Sequence, residues 1–266
     1  MDFEELTASQ QQMWATGDFH RIGVAQIAVG ERLIRSLGVH AGWRVLDVAA
    51  GAGNTALAAA RRFAEVTATD YVPDLLERAE HRAEAEGLTL VTEVADAQDL
   101  PFEPGSFDVV TSTFGAMFAP DQEKTASELL RVVRPAGKVG MANWTPEGFI
   151  GAMFALGAKY NPPVSGLRPP SRWGTEEGLA ELFGSRGVDV TIRTRSIDFV
   201  YPSPEFMLDY FRSWFGPTAT AFAALEEEQQ QQMATDLMTL YDAHNVADDG
   251  TVLIPSRYLE VVATKP

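Results

Sequence analysis

The chain contains no cysteine, which excludes disulfides, thiolate metal sites and cysteine nucleophiles and leaves the redox compartment undetermined. Histidine is scarce, with four residues, and no His/Asp/Glu group shows metal-ligand spacing, so no metal is expected. Long apolar runs are missing as well. The longest, 149–158, is interrupted by glycines and falls well short of the roughly 20 residues that span a membrane. Met1-Asp2-Phe3-Glu4-Glu5 lacks the basic start of a secretory signal, so a soluble, cytoplasmic protein with no membrane partner is expected. Basic residues are outnumbered, 21 against 37, for a net charge of −16. A polyanion would approach against that field with no Lys/Arg-dense segment to receive it, so nucleic acid is not expected as a partner.

What the chain does have is core. Its 266 residues are 45% hydrophobic, enough for one large α/β domain with insertions. Helical spacing covers 3–14 and 22–37, with Gly38 as the residue that closes the second helix. Strand–helix alternation follows: strand 45–49 and helix 55–63, then strand 66–69 and helix 73–86, which Pro73 is suited to start. Strands at 88–94 and 107–113, a helix at 122–134 stopped by Pro135 and Gly137, and a strand at 138–142 continue it. Alternation of this kind predicts a parallel, doubly wound sheet. Beyond Trp144 the pattern changes to a proline-rich loop at 161–170, a helix at 176–183 and a strand at 188–201. A helical pair at 204–225 and 226–244 and a last strand at 258–263 complete the chain.

The first strand runs into Ala49-Ala50-Gly51-Ala52-Gly53 and then an alanine-rich helix. No bulky side chain occupies the turn, and glycine there permits positive φ and close approach of backbone to a ligand. Open α/β sheets bind ligands beyond the carboxyl ends of their strands, so this is a nucleotide-type site. Gly51-x-Gly53-x-x-Ala56 satisfies the loose dinucleotide fingerprint, and Asp70 lies where that fingerprint wants a ribose-binding acid. Two other acids tip the balance. Asp47, just before the loop, favours a cationic ligand over a pyrophosphate, and Asp96 ends the third strand, where it can accept from an adenine amine. Acids at three consecutive strand ends suit a ligand with a charged amine, a ribose diol and an adenine amine. S-adenosylmethionine is that ligand.

At this point the sequence resembles the class I S-adenosylmethionine-dependent methyltransferases, closest to the ubiquinone/menaquinone-biosynthesis and small-molecule group. The matching stretches are Val45 to Gly53, Ala68-Thr69-Asp70-Tyr71, Ala95 to Phe102 with Phe107-Asp108-Val109-Val110, and Glu128 to Lys138. The resemblance implies a Rossmann-like, seven-stranded sheet, mostly parallel with an antiparallel last strand, carrying an N-terminal helical cap and a helical insertion. The chain is then one domain, 1–266, divided into a cap at 1–39, a cofactor-binding core at 40–145 and substrate-side elements at 146–266. The resemblance also implies that backbone around Ala49, Gly51 and Gly53 meets the methionine part and that Asp70 holds the ribose hydroxyls. Tyr71 would lie beside the adenine, Asp96 and Ala97 at its edge, and Thr113 near the methionine end. One departure stands out: Ala49 occupies a position where the family usually has glycine.

Methyl transfer needs an in-line nucleophile, exclusion of water and, for some acceptors, a base. His20 lies between the two N-terminal helices, which in this family fold over the cofactor, and is the candidate catalytic residue. Trp14, Phe19, Phe114 and Trp144 are the candidate acceptor or lid residues. The expected activity is methyl transfer to an oxygen, nitrogen or carbon of a small organic acceptor. An NAD(P)-dependent oxidoreductase and a non-catalytic cofactor-binding protein are the alternatives, and a homodimer is one arrangement left open.

Overall fold

Buried Val29, Gly30, Leu33, Ile34 and Leu37 recur at helical spacing and turn one face of their helix to the sheet, and Gly38, at φ +68°, stops it. That helix is α3, Ile27–Leu37, in a computed structural model that describes residues 3–266, the Ser185 side chain excepted. Before it come α1 (Phe3–Ala15) and α2 (Phe19–Gly23). After it the chain alternates β1 (Arg44–Val48), α4 (Asn54–Ala60), β2 (Glu65–Asp70), α5 (Pro73–Ala85) and β3 (Val91–Val94). Then follow β4 (Phe107–Thr113), α6 (Gln122–Val132), β5 (Val133–Trp144), α7 (Phe149–Tyr160) and α8 (Glu176–Phe183). The last third carries β6 (Asp189–Tyr201), α9 (Pro204–Trp214), α10 (Gly216–Ala223), α11 (Glu227–His244) and β7 (Val252–Thr264).

The seven strands form one sheet in the order β3-β2-β1-β4-β5-β7-β6. The first five are parallel, and β7 runs antiparallel to both β5 and β6. This is the expected Rossmann-like arrangement. Strand order reverses between β1 and β4, so their carboxyl ends flank the crevice where such sheets take ligands. Among the described residues, no helix is long and apolar enough to cross a membrane.

The structure redraws several sequence-based boundaries. The helix expected over 22–37 breaks into α2, a 3-10 turn at Val24–Gln26 and α3. There the Asn54 amide donates to the Gly23 carbonyl, bending the chain onto the start of α4. Helix α6 ends at Val132, not Arg134, because Arg134 precedes Pro135 and is biased to extended backbone, which lets β5 begin at Val133. The apolar run at 149–158, to which sequence assigns no element, is helix α7, held against α11 and β7 by its apolar surface. The expected helical pair is three helices, because Gly216-Pro217 restarts the chain after Trp214. The last strand begins six residues before Tyr258, at Val252, since the whole of β6 finds a partner in it.

Candidate active site

The carboxyl end of β1 carries Asp47, 1% exposed. One of its oxygens accepts from the Ala56 amide at 2.9 Å, the other from the Thr111 hydroxyl at 2.8 Å. Burial is the main cause that pushes its carboxyl up to about 7, against those two bonds. Sequence reasoning expected Asp47 to face a cationic ligand. It lines the cavity, yet its oxygens fasten α4 to β1 and β4, so its visible role is to hold the turn in place.

The turn that follows is left-handed at Ala49, Gly51 and Gly53, with φ of +52°, +54° and +79°. Glycine tolerates this; alanine does so at a cost. The Ala49 methyl fits because Gly115 faces it without a side chain: a Cβ there would come within 2.5 Å of the Ala49 Cβ. The departure at Ala49 is thus matched across the crevice. Gly53 does not line the cavity; a Cβ on it would meet the Ala79 Cβ at 2.8 Å, so it is bare for helix packing against α5.

Asp70 ends β2 and is 5% exposed. The Gly51 amide donates to one carboxyl oxygen at 2.8 Å and the Val72 amide to the other at 2.9 Å. Burial pushes this carboxyl up to about 6, opposed by those amides. Each oxygen keeps a second lone pair for a ligand hydroxyl. Asp96 follows β3 and accepts from the Gln98 amide at 2.9 Å and the Gln98 side chain at 2.8 Å. The same Gln98 amide group donates to Thr7 of α1 at 2.8 Å, and Gln11 of α1 donates to the Tyr71 carbonyl. Helix α1 is thereby laid over the ends of β2 and β3. At the rim of β4 the Thr113 and Thr55 hydroxyls share a hydrogen bond of 2.7 Å.

Aromatic rings close the other side. Trp14 meets Phe19, Phe118 and Phe215 with centroids 5.4, 5.1 and 5.7 Å away. Between these walls lies a cavity. It is lined by Asp47, Ala49, Gly51, Asp70, Tyr71, Asp96, Ala97 and Thr113 on the sheet side, and by Trp14, Phe19, His20 and Phe114 on the other. Trp144 is not in the lining. It stacks beneath Phe114 at 3.8 Å and is 4% exposed, so it backs the wall that Phe114 presents. His20 is half-buried, and its pKa is lowered by burial first and by Arg82 next, with Arg78 and Arg21 adding and Asp18 opposing.

Asn54, Gln26, Gln98 and Phe118 also line this space and were not singled out from sequence. A polar residue at the helix start after the glycine turn could have flagged Asn54. Nothing in local spacing marks Gln26 or Phe118, which arrive through tertiary packing.

Chain similarity agrees with this geometry. Residues 45–137 match the family model described as "Methyltransferase domain". An uncharacterized protein of Mycobacterium tuberculosis is 39% identical, the alignment covering 98% of this chain and 96% of that one. The demethylmenaquinone methyltransferase of Thermus thermophilus is 40% identical over 117 residues, covering 42% of this chain and 53% of its own length. The crystal structure of YcgJ from Bacillus subtilis superposes with a TM-score of 0.63 at 19% identity, covering 90% of this chain and 98% of that one.

Proposed function

Because the chain belongs to the class I S-adenosylmethionine-dependent methyltransferases, its activity is methyl transfer from that cofactor, and we propose a small organic acceptor held against Trp14, Phe19 and Phe118 beside His20. The observation that carries this reading is the one space that joins a left-handed glycine turn and two strand-end carboxylates to an aromatic wall. The residues fit the cofactor. Gly51 leaves its turn open, since the nearest atom to a Cβ there is on Phe19 at 3.7 Å, and Asp70 retains acceptor capacity. In this reading Asp70 holds the ribose hydroxyls and Asp96 the adenine edge with Ala97, while Ala49 to Gly51 and Thr113 flank the methionine part. The bound cofactor supplies an electrophilic methyl group.

The chain's own contribution is placement and dryness. Trp14, Phe19 and Phe118 present apolar surface to the acceptor and keep water from the methyl group. His20 is the histidine in this lining, and its lowered pKa keeps it neutral near pH 7, able to take a proton from an oxygen or nitrogen nucleophile. The net charge of −16 supports a small molecule over a polyanion, and the cytoplasm is the proposed compartment. Calorimetry with S-adenosylhomocysteine tests the cofactor side: Asp70→Ala removes two charge-assisted bonds of roughly 1.5–3 kcal/mol each, so affinity should fall at least about tenfold. Unchanged affinity would sink the role of this strand end. A metabolite screen read by mass spectrometry for methylated products tests the acceptor side.

A further inference from the structure

One carboxamide in the cavity wall has nothing to bond. Asn54 donates to the Gly23 carbonyl and accepts from Arg82, both at 2.8 Å, and Gln98 bonds Asp96, Thr7 and the Asp121 amide. Gln26 lines the same cavity and is 6% exposed, yet its side chain caps no helix and has no hydrogen-bond partner among the described residues. A carboxamide buried in this way is costly unless a bound molecule meets it. Helical spacing fixes where it lies. Gly23, Gln26 and Gly30 fall on one face of a backbone that stays right-handed through the 3-10 turn. On that face Gly23 bonds Asn54, and a Cβ on Gly30 would stand 3.0 Å from Thr55, so Gln26 faces the first turn of α4. Thr55 in turn bonds Thr113, at the end of the cavity proposed for the methionine part.

We infer that the Gln26 carboxamide donates to the α-carboxylate of the cofactor, which this site recognises through neutral donors and without a cation. This rests on the reading of the cavity as the S-adenosylmethionine site. Among the described residues no lysine or arginine lines the cavity, whereas Asp47, Asp70 and Asp96 do. Those acids suit the ammonium, ribose and adenine amine of the cofactor and repel its carboxylate, which is left to hydrogen-bond donors. The Thr55–Thr113 pair places one hydroxyl hydrogen between its two oxygens and frees the other, and the Gln26 amide offers two more. Tyr71, the remaining hydroxyl of the lining, lies beside Asp70 and Asp96 at the adenine end. Gln26 also stands at the start of α3, where the positive end of the helix dipole favours an anion.

The test titrates two ligands into the full chain by calorimetry: S-adenosylhomocysteine and its decarboxylated analogue, which keeps the ammonium. A hydrogen bond to a charged group is worth about tenfold or more in affinity, so the parent should prefer S-adenosylhomocysteine by at least about that factor. Gln26→Leu should weaken S-adenosylhomocysteine about tenfold and leave the decarboxylated compound as in the parent, so that the preference collapses. Gln26→Glu keeps the shape but loses the amide donors and adds a like charge, and should weaken S-adenosylhomocysteine at least as much without weakening the analogue. The preference is a ratio measured within each variant, so a loosened fold, which lowers both affinities together, does not imitate it. Equal losses for both ligands, or unchanged S-adenosylhomocysteine affinity in Gln26→Leu, would overturn the proposal alone. A parent that binds neither ligand would overturn the cofactor reading and the proposal with it.

Discussion

The two hydrophobic cores differ in what fills them. One lies under the cofactor turn, between α3, α4 and the first strands, and is built from Leu33, Val45, Ala56, Ala58, Ala59 and Val66, with no buried aromatic ring. The other lies under the acceptor side and holds Phe114, Trp144, Phe149, Trp173, Tyr241 and Tyr258, tied by ring contacts such as Phe149 with Phe199 and with Tyr241. Small side chains bring backbone close to backbone, which a turn that hugs a ligand requires. Large rings fill irregular volume and can be exchanged for other rings, which suits a region that differs with the acceptor. The site stands on the seam between the two.

Two buried carboxylates of the cofactor side and one partly exposed carboxylate of the other side titrate in opposite directions, and this gives the largest effect expected. Asp47 and Asp70 of the cofactor side have carboxyls raised to about 7 and about 6. Raised carboxyls bind protons more tightly in the folded state, so each favours folding at low pH and loses that contribution as pH rises from about 4 through its folded value. Asp236, on α11 of the acceptor side, is held down to about 2 by Lys159 first, then Tyr160 and Gln232. Its contribution has the opposite sign, present above pH 4 and lost as pH falls toward 2. At roughly 1.4 kcal/mol per pKa unit, Asp47→Asn should remove up to about 4 kcal/mol of the stability difference between pH 4 and pH 8. Urea unfolding at both pH values checks it. If the parent and Asp47→Asn show the same pH slope, the raised Asp47 carboxyl and the contrast built on it are wrong.

Next in size is His20, which belongs to neither core. General acid–base catalysis contributes roughly 100-fold or more, so His20→Ala should lower kcat by about that factor once an acceptor is in hand. Because burial and Arg82 depress its pKa, the acid limb of the parent's kcat profile should lie below the ordinary value of 6.5. That limb should vanish in the variant while S-adenosylhomocysteine affinity holds. A kcat profile without the limb in the parent would leave His20 as wall only, and the seam would be chemically inert.

The same contrast explains what the sequence made legible. On the cofactor side each function depends on residues close in the chain, as with Asp70, whose oxygens accept from Val72 two residues on and Gly51 nineteen back. Strand periodicity places such acids at strand ends before any contact is known. Asp47 lies at a strand end as expected and lines the cavity, but its bonds to Ala56 and Thr111 depend on which helix and strand pack there, which no strand periodicity announces. On the acceptor side, Trp14 meets Phe215 and the Asp18 amide donates to the Trp214 carbonyl, pairs separated by some two hundred residues. No local pattern announces such a meeting. Helix α7 was missed because an apolar run without polar alternation carries no period, and the placing of Trp144 beneath Phe114 depends on side-chain stacking across β4 and β5.

The smallest effect sharpens the difference between the cores themselves. Ala59, on α4, is fully buried in this core, and α3 packs closely on the same helix, where a Cβ on Gly30 would already stand 3.0 Å from Thr55. Ala59→Leu adds three carbons to a place with no room, and overpacking of this kind costs about 1–3 kcal/mol. Phe149 is equally buried but sits among rings that can shift, so Phe149→Leu should stay near 1–1.5 kcal/mol despite the greater change of shape. The two should also differ in what they do to binding. Ala59→Leu pushes on the helix that Asp47 anchors and the turn leads into, and should weaken S-adenosylhomocysteine several-fold, whereas Phe149→Leu should leave it unchanged. Chemical unfolding and calorimetry on the two variants measure both quantities. If Phe149→Leu proved the costlier of the two and the one that weakened the cofactor, the small-residue core would not be what holds the turn in shape.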